Sequence, residues 1–332
     1  MCVSLFCTEK LLHKRAFFTL VLVYFKVAVM KTTIKGDKKM SDYLLKSLGY
    51  DGQVRVYVVD ATQTVAEAQR RHETWSAASA ALGRTMIGAL LLGATLKGEE
   101  KMTVKVEGNG PAGHIIVDSN GKGEVKGYIA NPKISLPLNE FGKLDVRGAV
   151  GTEGSLTVTK DLGMKEAFSG QVPLVSGELG EDFTYYMANS EQTPSAIGLS
   201  VLVDTDDSIK AAGGFMIQVM PGATDETITA LENRLATIPM ISQLMEEGAT
   251  PEDILERLMG KDNAKVLEQL PITFKCDCSK ERFSRAIIAL GTKEIEDMII
   301  EDQGAEASCH FCGNHYHYDV ADLEALKADA TN

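Results

Sequence analysis

Cys276-Asp277-Cys278 and Cys309-His310-Phe311-Cys312 hold four of the chain's six thiols in two tight pairs, separated by a 30-residue spacer, 279–308. Two thiols one or two residues apart can grip a single ion. Two such pairs brought together by a fold complete a tetrahedral four-sulfur shell, which a structural Zn2+ prefers. Cys276, Cys278, Cys309 and Cys312 are therefore the candidate ligands of one Zn2+ per chain. His310, His315 and His317 lie close by, but four thiolates already fill a tetrahedron, so these read as surface or hairpin histidines. Closely paired thiols also suit a reducing compartment, which points to the cytoplasm.

The spacer must position the pairs, and its pattern shows how. Ser279 can cap a helix over Lys280–Leu290, with Phe283 and Ile287 on one face and Gly291 as the stop. Thr292 can cap a second over Lys293–Asp302, with Ile295, Met298 and Ile299 on one face. Glu306–Tyr318 reads as a hairpin whose turn carries Cys309-x-x-Cys312. A module of about 60 residues with so thin a core needs a metal or disulfides. Structural zinc contributes an apparent ~10–16 kcal/mol, so loss of metal is expected to unfold it.

Three functions fit such a module. It could be a purely structural zinc ribbon. It could be a thiol-disulfide oxidoreductase working through Cys309 and Cys312, although no strand–Cys-x-x-Cys–helix context supports a thioredoxin-like site. It could be a redox switch, since metal-held thiolates stay open to peroxide, and Lys275, Lys280 and Arg282 favour thiolate at the first pair. The spacing makes a switch possible without showing that it operates.

The preceding chain reads as mixed structure. Gln53–Asp60 alternates as a strand, and a long Ala- and Gly-rich helix is expected from Thr64 to Leu96, with Arg84 in its middle arguing for a buried helix over a membrane span. Met102–Glu107, His114–Asp118, Glu124–Ile129, Leu144–Val150 and Ser155–Thr159 read as strands, Glu181–Ser190 as a helix, and Ala196–Val203 and Gly214–Met220 as strands. Gly108-x-Gly110-x-x-Gly113 matches a dinucleotide fingerprint, but a strand and turn follow it where a helix is required, so it is a hairpin turn. No phosphate-binding G-x-x-x-x-G-K-[ST] occurs. Helices and strands are mixed rather than regularly alternating, which argues for α+β.

Residues 223–270 change character. Ile228, Leu231, Leu235 and Ile238 recur at helical spacing, and Thr250-Pro251-Glu252-Asp253 opens another short amphipathic helix that Gly260 stops. Five of the 13 methionines fall between Met216 and Met259, which suits either a packed connector or a surface that repacks against varied partners.

Residues 1–39 hold eight basic and two acidic side chains of the chain's 34 and 46, leaving 26 against 44, or −18, in 40–332. A body that acidic repels phosphate backbones, so no nucleic-acid partner is expected. The apolar run Ala16–Met30 is shorter than the ~20 residues a spanning helix needs and lacks a cleavage site, so no membrane role is expected. Residues 1–39 read as a start-site artefact or disordered extension ahead of a start at Met40, and Cys2 and Cys7 go with it.

From Met40 onward the chain resembles the redox-regulated heat-shock holdase family, the thirty-three-kilodalton chaperonins. The resemblance is carried by ALGRTMIGALLLGATLKG, VTKDLGMKEAFSGQVPLVSGELGEDFTYYMANSEQTPSAIGLSVLV, AAGGFMIQVMPGA and CDCSKERFSRAIIALGTKEIEDMIIEDQGAEASCHFC. It implies an ATP-independent chaperone and not an enzyme, inactive when reduced and zinc-bound. It also implies that oxidation joins Cys276 to Cys278 and Cys309 to Cys312, releases zinc, unfolds the module and loosens the helical segment. The oxidised protein then forms a homodimer and holds unfolding client proteins. The expected architecture is α+β: a mixed core domain over 40–222, a helical linker over 223–270 and a four-cysteine module over 271–332.

Overall fold

The structure is a computed structural model that describes residues 41–330; the expectations for residues 1–39, Cys2 and Cys7 among them, lie outside the described residues. Strands β1 (Tyr43–Gly49) and β2 (Val54–Asp60) pair as an antiparallel hairpin. The apolar stretch that follows is two helices, α1 (Thr62–His72) and α2 (Ser76–Gly93), and not one. Glu73 takes the left-handed conformation at φ 48° and Trp75 is extended. The break is held by Ser79, whose hydroxyl donates to the Thr74 carbonyl at 3.0 Å.

Strands β3 (Lys101–Gly108), β4 (His114–Asn120) and β5 (Glu124–Ile129) come next, and the Gly108–Gly113 segment is the expected hairpin turn. Leu144–Val150, read as a strand from its alternation, instead contains a short helix, α3 (Val146–Val150). Asp145 decides this by accepting the Gly148 N–H at 2.7 Å. Strands β6 (Gly154–Asp161) and β7 (Phe168–Pro173), helix α4 (Gly180–Asn189), and strands β8 (Ser195–Val203) and β9 (Ile209–Val219) complete this part.

Helices α5 (Asp225–Leu235), α6 (Ile241–Glu246) and α7 (Pro251–Met259) follow, and Thr250 and Asp253 form a reciprocal cap at the start of α7. The run does not stay helical to its end: Ala264–Pro271 is strand β10, which pairs with β1. Strand β11 (Thr273–Phe274) leads to helix α8 (Lys280–Ile288), capped by Ser279 as expected. Helix α9 (Thr292–Asp297) begins after Gly291, so Thr292 lies inside it, and it runs on into a π turn over Met298–Asp302. Strands β12 (Ala305–Ser308) and β13 (His315–Tyr318) form the expected hairpin, and a last helix, α10 (Val320–Ala330), follows.

Two large sheets share one central helix. The five-stranded sheet runs β10-β1-β2-β9-β8, and the six-stranded sheet runs β11-β5-β4-β3-β6-β7. Helix α2 packs against strands of both. It is apolar and long enough to cross a membrane, yet 89% of it is buried within the protein. Its small residues permit this burial: a Cβ on Gly88 would lie 2.5 Å from the Phe183 ring. A second apolar layer lies between Tyr43, Leu45, Val56, Val58, Phe215 and Ile217 of the five-stranded sheet and Leu231, Leu244, Ile254 and Leu258 of α5–α7. A third, much smaller cluster unites Ile287, Ile295, Ile299, Tyr318 and Leu323 beside the cysteines. The fold is α+β, as the sequence indicated.

Candidate metal centre

Cys276 and Cys278 lie between β11 and the cap of α8, while Cys309 and Cys312 lie in the turn joining β12 to β13. Backbone bonds shape that turn: Cys309 N–H donates to the Asn314 carbonyl and Gly313 N–H to the Cys309 carbonyl, both at 2.8 Å. Gly313 adopts φ 71°, which glycine takes without strain. All four cysteines are unbonded thiols, the second pair buried and the first half-buried. Their sulfurs all lie within 4.8 Å of one another. Cys276 Sγ is 3.7 Å from Cys309 Sγ, and Cys278 Sγ is 3.3 Å from Cys312 Sγ. A metal ~2.3 Å from each of four tetrahedral sulfurs would space them at ~3.8 Å, so the donor set fits one soft, thiolate-binding ion.

Neighbouring groups tune the sulfurs unequally. Tyr316 reaches Cys278 through its hydroxyl, 3.1 Å from the carbonyl and 3.2 Å from Sγ. Burial acts to raise the Cys278 thiol, but the hydrogen bonds from Tyr316 and the other sulfurs outweigh it and bring it down to about 7. Burial pushes Cys276 up to about 11 and raises Cys312 further. The basic residues expected to stabilise the first pair are occupied elsewhere. Lys275 pairs with Glu124, Lys280 with Asp322 at 2.7 Å, and Arg282 with Asp277 at 2.9 Å. The histidines are likewise engaged outside the sulfur cluster: His315 and His317 flank Glu306, and the His310 ring packs on Tyr128.

The cysteine turn is docked on the larger part of the protein, a feature with no local sequence signal. Arg71, at the end of α1, donates to the Cys312 carbonyl and the Asn314 Oδ1, each at 3.3 Å. His72 Nε2–H donates to the Phe311 carbonyl at 3.2 Å. The Tyr128 ring meets Phe311 edge-on at 5.4 Å, and Lys126 sits over the same phenyl ring while pairing with Asp277 at 2.6 Å. The short parallel pairing of β11 with β5 completes the contact.

The model of the Hsp33 protein family matches residues 42–319. A 33 kDa chaperonin of Enterococcus faecalis is 66% identical, covering 88% of this chain and 98% of the relative. The chain belongs to the Hsp33 family. A 33 kDa chaperonin of a Geobacillus species is 58% identical, covering 88% of this chain and all of the relative. The crystal structure of the family's Thermotoga maritima 33 kDa chaperonin, 40% identical, covers 88% of this chain with a TM-score of 0.83. These relatives are named as chaperonins, and family membership implies binding of client proteins. The four-cysteine cluster of this chain belongs to the matched region.

Proposed function

We propose that this protein is a cytoplasmic, ATP-independent holdase, not an enzyme, whose client binding is switched on by oxidation of a zinc centre formed by Cys276, Cys278, Cys309 and Cys312. The observation that carries this is the meeting of two sequence-distant thiol pairs in one sulfur cluster, within a module whose own apolar cluster has, among the described residues, five buried side chains. Zn2+ is the ion that an all-thiolate tetrahedron suits, and bound there it would supply most of the module's folding energy.

Oxidation balances simply. Four thiolates, two molecules of peroxide and four protons become two disulfides, Cys276–Cys278 and Cys309–Cys312, and four waters. Disulfide sulfurs no longer carry the ligand charge, so the module loses the stabilisation that its thin core cannot replace. Its docking on Arg71, His72 and Tyr128 is then lost, and β10 and β11 lose their anchor. Helices α5–α7, the linker of the scheme, are released from the five-stranded sheet. That bares an apolar surface hidden at rest, as a holdase requires. The acidic body keeps client complexes soluble, and the oxidised chain is expected to dimerise. The Cys309-x-x-Cys312 pair sits in a hairpin turn followed by a strand, not at a helix start, which weighs against the oxidoreductase alternative.

Light scattering from a thermally unfolding client, without ATP, tests the proposal. The peroxide-treated protein should suppress aggregation and the reduced, zinc-loaded protein should not. Equal suppression by both would leave the zinc merely structural, and suppression by neither would refute the holdase reading.

A further inference from the structure

We infer that the backbone edge of β1, now covered by β10, is a docking site for an extended segment of an unfolded client chain; this rests on the holdase reading above. Strand β1 bonds to β2 on one side and to β10 on the other, and β10 is the last strand of its sheet. What holds β10 there is mainly its backbone. Of its eight residues only Leu270 is buried, while Val266 and Leu267 are 45% and 57% exposed. Its one cross-strand ion pair with β1, Lys46–Glu268 at 3.0 Å, is partly exposed and contributes little.

The pairing is also imperfect. Lys46 faces Glu268 and Ser47 faces Val266, so Leu267 is an extra, unpaired residue in a bulge. Opposite Val266 the Ser47 hydroxyl is buried with no hydrogen-bond partner. A strand seated through main-chain bonds, with its side chains in solvent, specifies little about sequence. An edge that accepts such a strand accepts extended chain of many sequences, which is what a holdase meets. Strand addition would thus give affinity through the backbone, with apolar side chains falling on the sheet face that α5–α7 cover at rest.

The strap is placed to leave when the metal centre fails. One end of β10 follows α7, and the other reaches Cys276 after Pro271 and the two-residue β11. It is therefore tied at both ends to elements that the oxidised module releases. Once β10 departs, β1 becomes an edge strand with unpaired N–H and C=O groups, a template for a further strand.

Amide hydrogen exchange on the full-length protein, read by peptide mass spectrometry, tests this. Oxidation should lower protection at least tenfold for 264–271 and for those amides of 43–49 that face β10, while those that face β2 keep theirs. Adding a thermally unfolding client should restore protection at 43–49 but not at 264–271. A peptide of sequence AKVLEQLP should at least halve client retention at saturation, and the same peptide N-methylated at every amide should leave retention unchanged. Retained protection of 264–271 in an active oxidised protein would overturn the inference. So would client retention with 43–49 still exposed, or equal effects of the two peptides, including no effect of either. In each of these outcomes aggregation is still suppressed, so the holdase reading survives; loss of suppression itself would instead sink that reading.

Discussion

Leu323→Ala is the substitution that asks most directly whether metal and fold are coupled in the cysteine module. Leu323 is fully buried on α10, within the cluster of Ile287, Ile295, Ile299 and Tyr318, a cluster that contains none of the four cysteines. Truncating a fully buried leucine costs about 3 kcal/mol in lost transfer energy and residual cavity. In a domain with its own large core that loss would appear as a lower melting temperature. Here the metal-free module is expected to be unfolded in both proteins, so the cost falls on the metal-bound state alone. It must then appear as weaker binding. At 1.4 kcal/mol per decade, about 3 kcal/mol is a roughly 100-fold loss of apparent zinc affinity. Competition against a chromophoric zinc chelator would measure it, with thiols kept reduced. The thermal transition of the core sheets should stay where it is. A change in affinity below threefold would refute the reasoning, because it would mean that the module is folded before metal binds.

Peptide mapping of the peroxide-treated protein should find Cys276 joined to Cys278 and Cys309 to Cys312. Links of Cys276 to Cys309 or Cys278 to Cys312, the contacts at 3.7 and 3.3 Å in the reduced arrangement, would contradict that pairing. Gly88→Ala should lower Tm by roughly 3–10 °C in thermal denaturation, because the added methyl meets the buried Phe183 ring. Asp42 gives a pH effect: burial, the largest influence, raises its carboxyl from 3.8 to about 6 although Thr64 and Gln63 donate to it. A folded pKa above the unfolded one adds stability that is full below about 3.8 and is lost as pH rises through about 6. Melting curves from pH 4 to pH 7 should show this decline in the natural protein and a flatter profile in Asp42→Asn; identical slopes would assign the pH dependence to other groups.

The meeting of the four cysteines was legible because its chemistry is local. Two thiols per short motif and a helical spacer carry the information, and the tertiary fold has only to bring two points together. Caps were legible for the same reason, as Ser279 and Thr250 show. Elements whose identity depends on distant partners were not. Strand β10 lacks alternation because its side chains stay in solvent and its backbone is what β1 uses, so composition made it look like the tail of a helical run. The Leu144–Val150 alternation was real, but the Asp145 cap outweighed it. The break at Glu73–Trp75 carries no proline or glycine and is paid for by hydrogen bonds to Ser79. Lys275, Lys280 and Arg282 looked like thiolate partners because they flank the cysteines in sequence. Two of their carboxylate partners, Glu124 and Asp322, come from β5 and α10, which only the fold brings near. The docking of the cysteine turn on Arg71, His72 and Tyr128 is long-range in the same way.

A single peroxide titration tests the central claim most directly. Zinc released per chain would be followed with a colorimetric chelator while samples at each point are assayed for suppression of client aggregation at unfolding temperature. One zinc per chain should leave as suppression rises, with both changes reversed by dithiothreitol and added zinc. Full suppression before any zinc leaves, or complete release with no suppression, would contradict that claim.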